Sequence, residues 1–240
     1  MLVTIGAPGG KFECPACGHS GHLSPFFAST GVRWHARCPR CGALERHRLQ
    51  VCAARELLPK LEGLQRRTLH IAPERSISRN LSEWSSKYTT ADINPEGVDI
   101  QVDLRSMPEI ADQSFDLIWA SHVLEHIDHD YDAVKEIYRV LAPGGCAVLP
   151  VPLVADHTIE YPAPSKFEEL HVRAPGFDYF ERYRAVFERV DVLTSEQAQP
   201  VFQTWIYENR NRFPNQKAPL RPAQTGKRHM DAVPICWRLG

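Results

Sequence analysis

Residues 115–152 constrain the fold more than any other stretch. Leu117 to Ala120 is a short apolar run that stops at Ser121 and His122, the pattern of a parallel strand buried on both faces as it reaches its carboxyl edge. From Asp130 to Leu141, the residues Tyr131, Val134, Ile137, Tyr138 and Leu141 recur on one helical face. Pro143-Gly144-Gly145 ends that helix, because Pro cannot continue it and Gly accepts a positive φ. Cys146 to Val151 supplies the next buried strand. Strand, helix, tight turn and strand predict a right-handed crossover, hence an α/β sheet whose ligands sit beyond the carboxyl ends of its strands.

Upstream fragments fit the same sheet. Tyr88 to Ala91 leads into Asp92-Ile93-Asn94-Pro95, and Ile100 to Val102 leads into Asp103-Leu104. Met107-Pro108 and Asp112 to Asp116 then introduce the strand at 117. In order and spacing from about residue 68 to about residue 192, and in the wording around His122, Glu125 and His126, the chain resembles the class I S-adenosylmethionine (SAM)-dependent methyltransferases of the type 11 branch. That resemblance implies a Rossmann-like, seven-stranded, mostly parallel sheet with helices on both faces, closed by an antiparallel strand over residues 231–239. It also implies the cofactor contacts. Asp92, with Ile93, would take the ribose hydroxyls, Asp103 and Leu104 would meet the adenine edge, and Ser121 and His122 would lie near the sulfonium.

The first strand departs from that pattern. It ends Leu69-His70-Ile71-Ala72-Pro73-Glu74, without the glycines that normally let backbone approach the methionine part of SAM. His70, Ala72 and Pro73 are expected to shape this turn, with Ala72 replacing the first glycine at negative φ and Pro73 fixing the bend. Glu74 is expected to hold the methionine ammonium.

An N-terminal module over residues 1–43 is set off by its cysteines. Cys14-Pro-Ala-Cys17 and Cys38-Pro-Arg-Cys41 are each followed by glycine, Gly18 and Gly42, which lets the backbone turn around the sulfurs. Two Cys-x-x-Cys pairs supply the four thiolates of tetrahedral Zn2+, and a segment this small lacks the core to fold without one. The zinc is expected to be structural, with substrate recognition by the module as the alternative. His19, His22 and His35 are expected to be bystanders. A helix from residue 44 to 58 joins the module to the catalytic domain, residues 44–240. The run Cys-Pro-x-Cys-Gly-x-Leu-Glu-Arg-His-Arg resembles a bacterial subset of these methyltransferases in which the knuckle runs straight into that domain.

The 240 residues contain no apolar run near the ~20 needed to cross a bilayer and no signal-peptide pattern. With metal-like cysteine spacing, this points to a cytoplasmic protein without membrane association. Residues 1–67 carry 10 Lys and Arg against 4 Asp and Glu, whereas residues 68–240 carry 18 against 25. Docking of the two halves accounts for that asymmetry, and a basic face for an anionic substrate is the sharper alternative.

Catalytic candidates are His122, beside the expected sulfonium, and His157, Glu160, Tyr161, His171 and Arg173 in residues 154–175, a segment expected to be an irregular functional loop. His171 and Arg173 would grip an anionic substrate group or anchor a helix over residues 178–187. His126 is expected to be scaffolding, Asp130 a helix N-cap, and residues 216–227 a lid. The leading expectation is methyl transfer from SAM to a small polar metabolite, a sugar or natural-product intermediate. The alternatives are an RNA methyltransferase that uses the basic zinc module, a SAM-dependent enzyme of intramolecular alkylation, and a non-catalytic binding protein of this fold.

Overall fold

A computed structural model describes residues 11–28, 31–61, 63–207 and 228–240. Two short hairpins build the N-terminal module: β1 (Phe12–Glu13) with β2 (Ser20–Gly21), and β3 (Ser24–Ala28) with β4 (Gly31–Arg37). Helix α1 (Glu45–Leu57) follows and continues as a 3-10 turn at Leu58–Leu61, so Pro59 tightens the helix end instead of closing it outright.

Seven strands form the main sheet. They are β5 (Arg67–Ile71), β6 (Lys87–Asp92), β7 (Ile100–Gln101), β8 (Phe115–Ala120), β9 (Leu141–Val148), and, after the hairpin described below, β12 (Arg189–Thr194) and β13 (Ala232–Trp237). Their order is β12-β13-β9-β8-β5-β6-β7, with β13 antiparallel to both neighbours and the strands from β9 to β7 parallel. This is the expected seven-stranded, mostly parallel sheet. Along β8 the side chains alternate: Leu117 and Trp119 pack with α1 and α2 (Arg75–Trp84), while Ile118 and Ala120 pack with α3 (Asp130–Val140). Both faces are therefore covered, which is why the strand reads as a continuous apolar run.

Several expectations are corrected. Residues 154–175 are not irregular: β10 (Ile159–Ser165) and β11 (His171–Ala174) pair antiparallel around a register shift. The helix expected over 178–187 is only a 3-10 turn at Phe177–Phe180 and the short α4 (Glu181–Arg184), because Tyr179, Phe180 and Tyr183 are drawn into the core. Strand β9 starts earlier than expected. Leu141 already pairs with Phe115, and the Pro-Gly-Gly turn is a bulge within the strand, where a Cβ on Gly145 would stand 2.7 Å from the Asp116 carbonyl oxygen. Pro234 lies in an inner strand, and the ladder from β13 to β9 begins only at Ile235, past the missing N–H. Asp130 is not the N-cap of α3; His129 is, and Asp130 is buried within the first turn. The lid expected at 216–227 lies outside the described residues.

Long-range polar contacts tie the module to the sheet. Gln50 of α1 accepts the Trp119 indole N–H at 3.0 Å and donates to Ser121 Oγ at 2.9 Å. Arg48 is fully buried, and its guanidinium donates to the carbonyls of Ala36 and Ala43 in the module and of Phe202 and Gln203 near the C-terminus, at 2.6–3.0 Å. Among the described residues, no helix is long and apolar enough to cross a membrane.

Candidate active site

The carboxyl ends of β5, β6, β7 and β8 open into a cavity of about 460 Å3. Ala72, Asp92, Ile93, Asp103, Leu104 and His122 line it, as do Ile71, Val102, Arg105, Val123, His126, Ile127 and Asp128. Its size is that of a site for a small organic ligand. Local turns hold its two acidic residues. Asp92 Oδ1 accepts the Asn94 N–H at 2.9 Å, and Asp103 is gripped by Arg105, whose Nη2 donates to Oδ2 at 2.7 Å and which also reaches Asp128. The Arg105 guanidinium holds the Asp103 carboxyl below the usual carboxylate range.

Two of the cavity residues have strained backbones. Ala72 has φ +48° and His122 φ +56°. The expectation of a negative φ at Ala72 is therefore corrected: the turn keeps the left-handed conformation that glycine usually supplies, at a cost of about 1–2 kcal/mol for a residue with a Cβ. The Ala72 N–H donates to the Ala91 carbonyl at 2.8 Å, and the His122 N–H to the Pro150 carbonyl at 2.9 Å.

Four residues expected at the cofactor stand outside the lining of this cavity: His70, Pro73, Glu74 and Ser121. His70 is fully buried and its Nδ1 lies 2.7 Å from the Tyr88 hydroxyl; burial pushes the imidazole down to about 4. Ser121 is held by Gln50. Glu74 is taken up by α1: Arg46 Nη2 reaches its Oε1 at 2.6 Å and His47 Nε2 reaches the same oxygen at 2.9 Å. Because His47 Nδ1 accepts the Leu44 N–H at 3.0 Å, its Nε2 carries the proton given to Glu74. Burial works against the Glu74 charge, but the His47 and Arg46 partners prevail and hold the carboxyl far below its ordinary range. Glu74 Oε2 remains buried without a partner.

Beside the cavity, a second polar group surrounds Glu125. This carboxylate is fully buried, with His122 Nδ1 at 3.4 Å and His171 Nε2 at 4.0 Å. His122 Nε2 is buried without a partner. The Arg173 guanidinium holds the loop after β8, donating to the carbonyls of Leu124, Ile127 and Asp128 at 2.6–3.0 Å and pairing with Asp130 and Glu160. His157 is exposed and lies outside the cavity lining. Glu160 pairs with Arg173 and Arg182, and the Tyr161 hydroxyl donates to Glu168.

In the module, the sulfurs of Cys14, Cys17, Cys38 and Cys41 lie within 4.8 Å of one another, with Cys14–Cys41 at 3.6 Å and Cys17–Cys38 at 3.7 Å. Four sulfurs at about 2.3 Å from a tetrahedral zinc would be separated by about 3.8 Å, so the set fits that ion. Gly18 and Gly42 have φ +71° and +77°, and their N–H groups donate to the carbonyls of Cys14 and Cys38.

Sequence reasoning passed over Arg46, His47, Gln50 and Arg105. The first three carry a readable signal in hindsight, since polar and ionisable residues in the first turns of a helix that also has a core face need polar partners where they are buried. Arg105 carried none.

Comparison with known proteins agrees with this architecture. Residues 63–149 match the type 11 family described as "Methyltransferase domain". A malonyl-[acyl-carrier protein] O-methyltransferase of Enterobacter lignolyticus is 41% identical over 46 residues, a match spanning 19% of this chain and only 18% of that relative. A SAM-dependent methyltransferase from Mesorhizobium loti superposes over 78% of this chain and 97% of its own at a TM-score of 0.50 and 15% identity, a likeness of fold. A SAM-dependent methyltransferase from Archaeoglobus fulgidus covers 79% and 93% at 0.49 and 15% identity. Over residues 63–149, then, the chain is similar to the type 11 methyltransferase domain, and it carries that stretch on a sheet of the same fold.

Proposed function

We propose that the protein transfers a methyl group from SAM to a small polar metabolite, a sugar or natural-product intermediate. The observation that carries this reading is the cavity at the carboxyl ends of the strands with Asp92 and Asp103 on its wall. SAM would supply an electrophilic methyl on a sulfonium. Asp92 accepts the ribose hydroxyls, Asp103 and Leu104 meet the adenine, and Ala72 brings backbone close to the methionine part. His122, on the cavity wall with a free Nε2, takes the proton of an acceptor hydroxyl, and Glu125 behind its Nδ1 favours the imidazolium that results. In-line displacement needs mainly position and exclusion of water, so one base is enough.

On this reading residues 1–43 are a knuckle around a structural Zn2+, and residues 44–240 are the catalytic domain. The cysteines, all free of disulfides, suit a reducing cytoplasm. The excess of acidic residues over 68–240 favours a small acceptor over nucleic acid.

Isothermal titration of SAM and S-adenosylhomocysteine into the zinc-loaded protein tests the reading. Micromolar binding that disappears in Asp92→Ala supports it, and a metabolite screen follows. A folded protein that binds neither compound would be a binding protein of this fold. Methylthioadenosine as product would identify intramolecular alkylation, and RNA binding with a steep salt dependence would turn the assignment to an RNA methyltransferase.

A further inference from the structure

Glu125 is a fully buried carboxylate, and no donor stands in hydrogen-bonding geometry to either of its oxygens. A desolvated carboxylate without donors costs several kcal/mol, and proteins answer that cost with a cation. The nearby guanidinium of Arg173 is committed to Asp130, Glu160 and three carbonyls. What surrounds Glu125 is imidazole, nearest of all His122, whose Nδ1 stands 3.4 Å from Oε1 outside hydrogen-bonding geometry. His171, the first residue of β11, places Nε2 at 4.0 Å from Oε1, and the His126 ring stands edge-on to the His171 ring with centroids 4.6 Å apart. One ligand atom from each of Glu125, His126 and His171 lies within 4.8 Å of the other two.

We propose that Glu125, His126 and His171 bind a first-row divalent transition cation, separate from the four-cysteine centre. One carboxylate and two imidazoles are the donor set such ions take when positions are left for water or substrate. With metal–ligand bonds of about 2.1 Å, neighbouring tetrahedral ligand atoms lie about 3.4 Å apart, so His171 and Glu125 need to approach by roughly half an ångström. His126 is exposed and lines the cofactor cavity, which puts the open side of the ion toward that cavity. An acceptor oxygen would bind there; this last clause rests on the methyl-transfer reading, whereas the ion site does not.

The test is a titration of the zinc-loaded full-length protein with Co2+, followed by visible absorption. The expected result is saturable binding of one equivalent, with weak visible bands and no thiolate-to-cobalt charge transfer. Glu125→Gln and His171→Ala should each weaken that binding at least tenfold. Unchanged circular dichroism and retained zinc in both variants would show that they fold. The proposal is overturned if the unsubstituted protein gives no signal, if the only signal is thiolate charge transfer from exchange into the knuckle, or if binding survives both substitutions. None of these readouts depends on SAM, so the outcome is independent of whether the cavity binds it.

Discussion

The two sides of the sheet's carboxyl edge hold their acids differently. On the outer side, Asp92 and Asp103 line the cavity and are fixed by residues two positions away, Asn94 and Arg105. On the inner side, Glu74 stands back from the cavity and is fixed by Arg46 and His47, 28 and 27 residues earlier on another element. The outer carboxylates are set by their own turns. The inner one is set by α1, the helix that follows the knuckle. The lesson is that three acids expected at one cofactor are not equivalent once their partners are known.

Metal removal should separate the sides most strongly. A structural zinc contributes on the order of 10 kcal/mol to folding. Cys38→Ser, or chelation, should therefore unfold residues 11–43, release Arg46 and His47 from Glu74, and weaken SAM binding by about a hundredfold or more. Retention of micromolar SAM affinity after loss of zinc, with module unfolding followed by circular dichroism, would show that the inner side does not need the knuckle.

Acid should likewise act first on the inner side. His70 is neutral when folded and titrates near 4, whereas an unfolded histidine titrates near 6.5. Between those values the unfolded chain binds more protons, so stability rises with pH there. The contribution, about 3 kcal/mol, is complete above about pH 6.5 and lost as pH falls toward 4. Burial also lowers His47 and His171, in the same direction. Glu74, held low when folded, adds a further loss only below about pH 4.3, where the unfolded carboxylate takes up protons. Urea denaturation midpoints measured from pH 7 to 4.5 should fall steadily, and His70→Gln should flatten the slope.

The direct comparison comes from two substitutions. Asp92→Ala should raise the SAM dissociation constant about a hundredfold, near 2.7 kcal/mol for lost hydrogen bonds to a charge. Glu74→Gln should raise it about tenfold, near 1.4 kcal/mol. If calorimetry finds no change for Glu74→Gln while the denaturation midpoint drops, Glu74 serves only to clasp α1.

How much the sequence disclosed follows the same division between near and far. A short apolar run, a period-3.6 pattern with Gly and Pro punctuation, and two Cys-x-x-Cys pairs were enough for β8, α3 and the knuckle, since each is decided by residues close in the chain, whereas the seven-stranded sheet came from the resemblance. The hairpin at 159–174 escaped because its prolines read as breakers, although the register shift between Glu160 and Ser165 accommodates them. The left-handed Ala72 escaped because residue type argues against it and only the surrounding strand ends impose it. Arg173 read as a grip on substrate or an anchor for the helix that follows, but it is a buried brace that joins Glu160 to Leu124, Ile127, Asp128 and Asp130, 43–49 residues earlier in the chain. Charge in a sequence marks a need for partners without naming them.

Arg48 extends that point to how such a chain can be cut and recombined. A seam at residue 43 looks natural, with metal chemistry on one side and the sheet on the other. Yet one guanidinium, with no water contact, joins Ala36 and Ala43 to Phe202 and Gln203 across that seam. A transplant of the knuckle onto another enzyme, or a truncation that discards it, would leave several donors and their carbonyls stranded together in the interior. The viable unit of exchange includes Phe202 and Gln203 together with the knuckle, so a cut at residue 43 divides one folded unit.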